Sequence, residues 1–185
     1  TLTDVDAILH ATTIATNAVL ERKGASTALI TTKGFRDVLI IGRQKRYETY
    51  DLYINKPRPL VERKNIFEVL ERTDYDGSIS TPLDSASLDE AVKKIIELNV
   101  ASVAISLIHS YANPSHEHVI RDTILRSAPQ LSVSVSSEIS PKLREYERTN
   151  TAVANAYVQP ILDRYKARLE SALAKKGFKN DLFIM

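Results

Sequence analysis

The sequence predicts an α/β fold with a mainly parallel sheet and flanking helices. Strand-like runs alternate with segments of helical periodicity along the 185 residues, and this order repeats several times. The segment 101–108 is nearly continuously apolar, as expected of a central parallel strand that is buried on both faces. Because parallel strands need crossover connections, the intervening helices favour a parallel sheet.

The first strand–helix pair lies at the beginning of the chain. Residues 5–9 form a short apolar run that predicts a strand. After two threonines, the spacing of Ile14, Ala18 and Val19 fits one face of a helix that ends at Gly24. The turn between these two elements therefore lies at the carboxyl end of a predicted strand.

A second strand–helix pair is followed by a long irregular segment. Residues 26–31 predict a strand, and residues 35–41 predict a short amphipathic helix closed by Gly42. The periodicity stops over residues 43–64, which contain three tyrosines, two prolines and many charges. We predict an irregular loop there that is functional or is covered by a partner.

A hairpin and a capped helix are predicted in the middle of the chain. Residues 65–72 alternate like a strand, residues 76–77 are an Asp-Gly turn signal, and residues 78–80 offer the return strand. The Ser-x-x-Glu pattern at 87–90 is a capping box that predicts a helix reaching about Leu98.

The last part of the chain repeats the strand–helix order. Residues 114–127 predict a helix that begins at a proline, and residues 131–135 predict a strand. A long helix starts near Thr149, and Pro160 inside it should kink it or split it in two. Residues 181–185 open like another strand. We expect a single domain over residues 1–185.

The composition excludes several classes of function. The 25 Lys and Arg residues nearly balance the 23 Asp and Glu residues, which argues against a nucleic-acid face or a membrane anchor. No cysteine is present, so a thiolate nucleophile and a cysteine-ligated metal are excluded. No apolar stretch reaches the roughly 18 residues of a membrane span, and no export leader is visible. We expect a cytoplasmic protein with no nucleic-acid or membrane partner.

The first polar motif, H-A-T-T-I-A-T-N at residues 10–17, lies where the first predicted strand ends and a helix begins. Ligands in open α/β sheets bind beyond the carboxyl ends of strands, where a helix N-terminus offers free N–H groups. His10, Thr12, Thr13 and Asn17 would bring an imidazole, two hydroxyls and an amide to this position. The alternative is that a threonine only caps the helix and that His10 is a satisfied core residue.

The second polar motif lies between the strand at 131–135 and the long helix. It contains five charged residues, Glu138, Arg144, Glu145, Glu147 and Arg148. Such charges are suited to ion pairing, to metal or phosphate contacts, or to holding a base in its charged form. By composition alone, a solvated charge cluster is the favoured interpretation.

Two further polar clusters carry weaker signals. His116 and His118 are two positions apart and point to different sides of a helix, so they are unsuited to share a metal ion. We predict that His109, His116 and His118 are surface residues, and we assign no metal ligand. Arg43 follows a helix end and, with Lys45 and Arg46, makes a local positive patch that either attracts an acidic substrate or faces water.

Three ordered blocks of the sequence resemble a known family. They are HATTIATNAVLERKGASTALITTKGFRDVLIIGRQ, LIHSYANPSHE and SSEISPKLREYERTNTAVANAYVQPIL, and the resemblance runs across nearly the whole chain. They are similar to the amino-terminal region of the ATP-dependent hydantoinase/5-oxoprolinase family, which includes the A subunit of N-methylhydantoinase and related ketone carboxylases. The chain departs from the family pattern at Ala11, where the family usually has glycine.

The resemblance implies a partial lobe of an actin-like, sugar-kinase-like ATPase fold. In the family, paired D-x-G-G-T-x-T-D phosphate loops flank the region that this chain resembles, and neither occurs here. We expect ATP and Mg²⁺ to act in the parent protein, neither to bind this fragment, and the isolated fragment to be inactive. The implied partners are a small cyclic amide substrate, the remainder of the parent chain and a B-type hydantoinase subunit.

The implied reaction is ATP-driven opening of a cyclic amide, in which the lactam oxygen is phosphorylated and water attacks the activated carbon. The family block indicates His10, Thr12 and Thr13 as catalytic residues near the reacting carbonyl. The substrate-binding residues that the resemblance implies are Asn17, Arg43, Glu145 and Arg148. Two alternatives remain open: a subunit of an ATP-dependent acetone or acetophenone carboxylase, and a non-catalytic structural or partner-docking domain.

Overall fold

The computed structural model of the protein describes residues 5–43 and 48–185. Its strands, in chain order, are β1 (Ala7–His10), β2 (Thr27–Thr32), β3 (Ile66–Val69), β4 (Arg72–Thr73), β5 (Ile79–Thr81), β6 (Ser102–Ser106), β7 (Ser132–Val135) and β8 (Asp181–Ile184). Its helices are α1 (Ile14–Leu20), α2 (Val38–Ile41), α3 (Ser85–Glu97), α4 (Ser115–Ser127), α5 (Ser136–Ile139) and α6 (Glu145–Lys175).

A parallel four-stranded sheet in the order β3-β2-β6-β7 forms the core of the fold. Thr27 of β2 lies opposite Ser102 of β6, and Ser102 lies opposite Ser132 of β7. Every residue of β2 and β6 is buried, because helices cover both faces of the sheet. The predicted α/β class, with a mainly parallel sheet and flanking helices, is confirmed.

Successive side chains of the central strands enter two different apolar layers. Ile30 and Ile105 pack with apolar residues of α3 and α4 on one face. Leu29 and Ala104 pack with apolar residues of α6 on the other. This period of two explains why both central strands are apolar on both faces.

A second parallel sheet contains only β1 and β8 among the described residues. Ala7 lies opposite Asp181, and His10 lies opposite Ile184. Beyond the strand ends, Met185 N donates to His10 O and Thr12 N donates to Met185 O, both at 2.9 Å. The start of the 10–17 motif is therefore fixed to the end of β8.

The helix α6 is a single helix of 31 residues. It begins at Glu145, earlier than the predicted start near Thr149, and it does not split at Pro160. A proline removes one N–H donor from the helix ladder, but the preceding turns bury Ala152 and Val153 against the sheet. Packing of these turns keeps the helix continuous, so a split into two helices is the wrong expectation.

The predicted hairpin is shorter than residues 65–80. The strand β3 pairs with β2 in the parallel sheet, with Ile66 opposite Leu29, and only β4 pairs with β5 in the antiparallel sense. Ile66 and Val69 are buried, and the central sheet gives them apolar neighbours that an exposed hairpin would not. The prediction that residues 65–72 form one hairpin arm is therefore wrong.

The cap of α3 also differs from the prediction. Asp84 is the N-cap residue, and its carboxylate accepts a hydrogen bond from Ser87 N at 2.8 Å. The Ser87 hydroxyl donates to Asp84 O and accepts from Leu70 N. Ser87 thus lies inside the first turn of the helix and links it to the segment that follows β3.

The predicted irregular loop is only partly described. Residues 48–62 contain neither helix nor strand, and Arg63–Asn65 form a 3-10 turn that leads into β3. Positions 44–47, which include the predicted cations Lys45 and Arg46, lie outside the described residues. No helix in the described ranges is long and apolar enough to cross a membrane.

Candidate functional site

His10 is the last residue of β1, on the face of the strand that is half-buried. Its Nε2 atom lies 2.5 Å from the Tyr165 hydroxyl of α6, and the two ring centroids are 5.7 Å apart. An imidazole nitrogen and a phenol hydroxyl are both able to donate and to accept a hydrogen bond. This pair can therefore hold a proton between two defined atoms.

The two threonines of the motif use their hydroxyl oxygens as acceptors. Thr12 Oγ1 accepts from Ile14 N at 3.3 Å, and Thr13 Oγ1 accepts from Asn17 Nδ2 at 3.3 Å. Thr13 occupies the N-cap position of α1 without a side-chain cap bond. Because both oxygens act as acceptors, their hydroxyl protons can be donated to a carbonyl oxygen of a ligand.

Arg43 and Glu145 belong to a different part of the surface, near the start of α6. Arg43 Nε donates to Glu147 Oε1 at 2.5 Å, and Glu145 is exposed in the same helical turn. Burial opposes ionisation of Glu147, but a hydrogen bond from its own backbone and the Arg43 guanidinium outweigh it and lower the pKa of the carboxyl. Among the described residues, no hydrogen bond or ion pair joins this group to His10.

Arg148 is not part of a solvated charge cluster, because it is only 2% exposed. Its Nε donates to Ser136 Oγ at 3.2 Å, its Nη1 to Lys142 O at 3.1 Å and its Nη2 to Leu107 O at 2.5 Å. Each nitrogen of the guanidinium thus has a protein acceptor. This placement differs from the expectation that Arg148 binds substrate, since the side chain turns inward to hold the ends of β6 and β7.

Glu117 is a buried carboxylate that is connected to Arg148 through the hydroxyl of Ser136. The Glu117 carboxylate accepts from Leu107 N at 2.9 Å, from the Ser136 hydroxyl at 2.6 Å and from Ser137 N at 2.9 Å. Burial lowers the pKa of Arg148, and the charge of Glu117 is the largest influence that opposes this shift. The two charges form one buried polar network at the carboxyl end of the sheet.

His116 is buried, so the prediction of a surface residue is wrong. Its Nδ1 atom lies 2.8 Å from Glu71 Oε2, and the other Glu71 oxygen accepts from the Thr32 hydroxyl. Thr32 Oγ1 in turn accepts from Ile108 N at 3.0 Å. This second buried network joins the segment after β3 to α4 and to the ends of β2 and β6.

The sequence contains a signal for both buried carboxylates. Glu117 has the spacing i, i+3 and i+7 with Ile120 and Ile124, which is the core face of α4. Glu71 falls between Val69 and Thr73 in a period-two pattern whose members are all buried. A charged residue in the apolar phase of an element indicates a buried, partnered charge.

Two family models match this chain in consecutive parts. The hydantoinase/oxoprolinase N-terminal region matches residues 1–128, and the hydantoinase/oxoprolinase model matches residues 148–185. The chain belongs to the hydantoinase/oxoprolinase family. The predicted family resemblance is thereby confirmed.

Three similar proteins place this hydantoinase/oxoprolinase chain among its relatives. An uncharacterized protein of Methanocaldococcus jannaschii is 41% identical over 98% of this chain, which covers 27% of that protein. The structure of ATP-dependent caprolactamase from Pseudomonas jessenii superimposes on 99% of this chain with a TM-score of 0.92 and 33% identity. The match covers 27% of the caprolactamase chain, and the subunit alpha of caprolactamase is also a relative by sequence. The nucleotide-free structure of acetone carboxylase matches 100% of this chain and 28% of its own at 28% identity and a TM-score of 0.88.

The hydantoinase/oxoprolinase chain thus spans about a quarter of the length of these relatives. Its five glycines are dispersed, and no glycine-rich loop connects a strand to a helix to cradle a phosphate. In the described ranges, no three His, Asp or Glu side chains are grouped so that they could hold a metal ion. The described residues therefore supply neither a glycine-rich phosphate loop nor a cluster of three such ligands.

Proposed function

We propose that the protein containing this chain is an ATP-dependent hydrolase that opens a cyclic amide ring. This chain would supply part of the amino-terminal lobe of an actin-like ATPase fold. The observation that carries the proposal is the match to ATP-dependent caprolactamase over 99% of the chain, with a TM-score of 0.92. The cytoplasm, where ATP is supplied, is the proposed location.

The proposed role of the 10–17 motif is to bind and orient the reacting amide. The hydroxyls of Thr12 and Thr13 would donate to the carbonyl oxygen and orient the amide, and Asn17 holds the Thr13 oxygen in place. When water adds to the carbonyl carbon and the carbon–nitrogen bond breaks, the ring nitrogen needs a proton. His10, paired with Tyr165, would hold that proton at Nε2.

The other predicted site residues take different roles in this proposal. Arg43 and Glu145 remain proposed substrate-binding residues at the start of α6. Arg148 is a positioning residue, because it holds Leu107 O and Lys142 O and no ligand can reach it at 2% exposure. ATP would supply the energy that activates an otherwise poor amide electrophile, and Mg²⁺ would accompany it. Both would bind parts of the longer protein outside these described residues.

A B-type subunit is the proposed protein partner. Tyr50, Leu52 and Tyr53 in the irregular loop are 91%, 79% and 88% exposed, which is unusual for large apolar side chains. The caprolactamase relative is named as a subunit alpha, so it belongs to an enzyme of more than one subunit. We propose that the loop contacts such a subunit or the remainder of the parent chain.

The activity is tested by phosphate release from Mg-ATP with the full-length protein, with and without a B-type subunit. The substrates are hydantoin, N-methylhydantoin, 5-oxoproline and caprolactam, with acetone plus bicarbonate as the contrast. Release that depends on a cyclic amide supports the proposal. Release only with acetone and bicarbonate favours the carboxylase alternative, for which the match to acetone carboxylase speaks. No release with any substrate favours a docking domain.

The role of His10 is tested by substitution in the full-length enzyme. We expect His10→Gln to lower kcat about 100-fold and Tyr165→Phe to lower it about tenfold, because proton transfer at Nε2 loses its group or its partner. His118→Gln is the matched control, since His118 lies on the surface of α4, 3.4 Å from Glu138, and kcat should not change. Unchanged turnover in His10→Gln would remove this residue from the reaction.

A further inference from the structure

A cavity of about 880 Å³ lies between the ends of α1 and α2, the start of α6 and the segment 56–60. Small-molecule sites in proteins commonly have volumes of roughly 300–1,000 Å³. A neighbouring apolar groove of about 500 Å³ shares Val19, Leu20 and Ala154 with it. None of the proposed catalytic residues lines either space. The cavity therefore does not contain the proposed catalytic residues, although it shares Arg43 with the proposed substrate-binding residues.

The lining of the cavity carries charge of only one sign. Its four charged residues are Arg22, Arg43, Lys56 and Arg58, and no Asp or Glu lines it. Arg43 is engaged by Glu147. In the part of the chain that the structure describes, Lys56 and Arg58 have no ion pair. Lys56 and Arg58 are therefore available to pair with an anion that enters the cavity.

Glu62 is the carboxylate of this segment that is affected by Arg58. Its pKa is lowered mainly by Lys64, which lies 2.8 Å away, and only slightly by the charge of Arg58. Glu62 therefore does not replace an anionic ligand at Arg58.

The segment that carries Lys56 and Arg58 is held in place by specific contacts. Arg22 donates to Arg58 O at 2.6 Å and to Pro59 O at 3.2 Å, and its own backbone has a positive φ of 56° at the end of α1. Pro59 has a restricted φ, and Val61 is only 1% exposed in the core. The cavity is therefore formed before any ligand binds, which lowers the entropic cost of binding.

The rest of the lining is apolar and partly uncovered. Leu20 is 75% exposed and Ile41 is 48% exposed, and both face the cavity. The adjoining groove continues this surface with the side chains of Ala15, Ala154 and Val158. A ligand with an aliphatic body would remove this surface from water, at a gain of about 25 cal/mol per Å² of apolar area.

We propose that this cavity binds a small amphipathic carboxylate, with its anionic group between Lys56 and Arg58 and its aliphatic body along Leu20 and the groove between α1 and α6. The charge of the lining selects an anion, and the exposed apolar surface selects an aliphatic chain. The proposal does not depend on the reaction proposed for the 10–17 motif, because its anion-binding residues, Lys56 and Arg58, are not among the residues proposed for that reaction.

The test measures octanoate binding to the full-length protein by calorimetry, with octylammonium, acetate and inorganic phosphate as comparison probes. We expect octanoate to bind more tightly than the other three. Lys56→Gln and Arg58→Gln should each weaken octanoate binding about threefold, and the double variant about tenfold, as for partly exposed charge pairs. Lys93→Gln is the control, because Lys93 is an exposed lysine of α3 that lines neither space, and it should change the Kd less than about twofold.

A third variant tests the aliphatic part of the site. Leu20→Ser should weaken octanoate binding and leave acetate binding unchanged, because only the longer ligand reaches this side chain. Several outcomes would overturn the proposal: no octanoate binding to the full-length protein, equal binding of octylammonium or phosphate, or an equal loss in Lys93→Gln. The first of these would mean that another segment of the protein fills the cavity.

Discussion

Gly24 lies directly against the ring of Tyr157, between α1 and β2. A Cβ atom at this position would overlap the Cδ1, Cε1 and Cζ atoms of that ring. The backbone cannot move away freely, because Ala25 N donates to Tyr157 O at 2.8 Å. We predict that Gly24→Ala lowers the free energy of unfolding by about 1–3 kcal/mol, measured by urea denaturation.

The control for this prediction is a smaller side chain at position 157. In a Tyr157→Ala background no atom beyond Cβ remains to overlap, so alanine at position 24 should cost less than about 0.5 kcal/mol. An equal cost in both backgrounds would show that the ring is not the cause.

The pair of Arg43 and Glu147 predicts a small pH dependence of stability. The folded-state pKa of Glu147 is below its ordinary value, so the pair stabilises the protein above the ordinary glutamate pKa. This contribution is lost as the pH falls through the lowered pKa. Arg43→Gln should therefore destabilise by less than about 1 kcal/mol at pH 7, and by progressively less as the pH falls below the ordinary glutamate pKa. A difference that grows towards low pH would contradict this sign.

At the residue level, the sequence predicted the motif but not its partners. The 10–17 segment was indicated because its polar residues follow an apolar run within a few positions. Tyr165, which contacts His10, lies 155 positions away, and no local pattern indicates a contact over that separation. The inward turn of Arg148 was missed for the same reason, since Leu107, one of its acceptors, lies in another element.

At the level of elements, Pro160 lies inside a continuous helix and leaves one carbonyl of the preceding turn without its N–H partner. Pro160→Ala supplies the missing N–H donor and introduces a residue with high helix propensity. We predict that it raises the free energy of unfolding by about 1–3 kcal/mol, because a proline in a helix interior costs about 3 kcal/mol. The measurement is urea denaturation followed by circular dichroism.

The neighbouring Gln159 provides the control, since its amide only bonds Asp163 on the surface of the same helix. Gln159→Ala should change the stability by less than about 0.5 kcal/mol. A loss of stability in Pro160→Ala would mean that the packing of α6 depends on the local geometry that proline imposes.

Elements with strong local patterns were predicted well, and those decided by pairing were not. The strands β2, β6 and β7 and the helices α3 and α4 lie close to their predicted positions, because periodicity and caps are local properties. The segment 65–72 has an alternation compatible with either a hairpin or a parallel sheet. Only the burial of Ile66 beside Leu29, far away in the chain, decides between them.

In the whole molecule, the carboxyl end of the sheet is held together by the buried charges of Glu117 and Arg148. Glu117→Gln removes the negative charge and leaves the guanidinium buried without it. We predict a loss of about 3–5 kcal/mol in the free energy of unfolding, because the Arg148 guanidinium would stay buried without a compensating charge. Glu138→Gln is the matched control, because Glu138 pairs with Arg121 at 2.5 Å on the surface. It should cost less than about 1 kcal/mol.

Leu107 N and Ser137 N donate to different oxygens of Glu117, so the glutamine amide keeps only one of these two hydrogen bonds. A loss below about 1 kcal/mol in Glu117→Gln would show that neither the charge nor the lost hydrogen bond carries the stabilisation. The measurement is again urea denaturation, with the midpoint and slope compared between the two variants.

The pairing of β1 with β8 has a consequence for how the protein is synthesised. Their partners Ala7 and Asp181 are 174 positions apart, whereas Thr27 and Ser102 in the central sheet are 75 apart. A ribosome that adds roughly 5–20 residues per second needs on the order of 10–30 seconds to make the chain between β1 and β8. The central sheet can fold during this interval and bring β1 and β8 together, because β1 is synthesised long before the strand that pairs with it in the described residues.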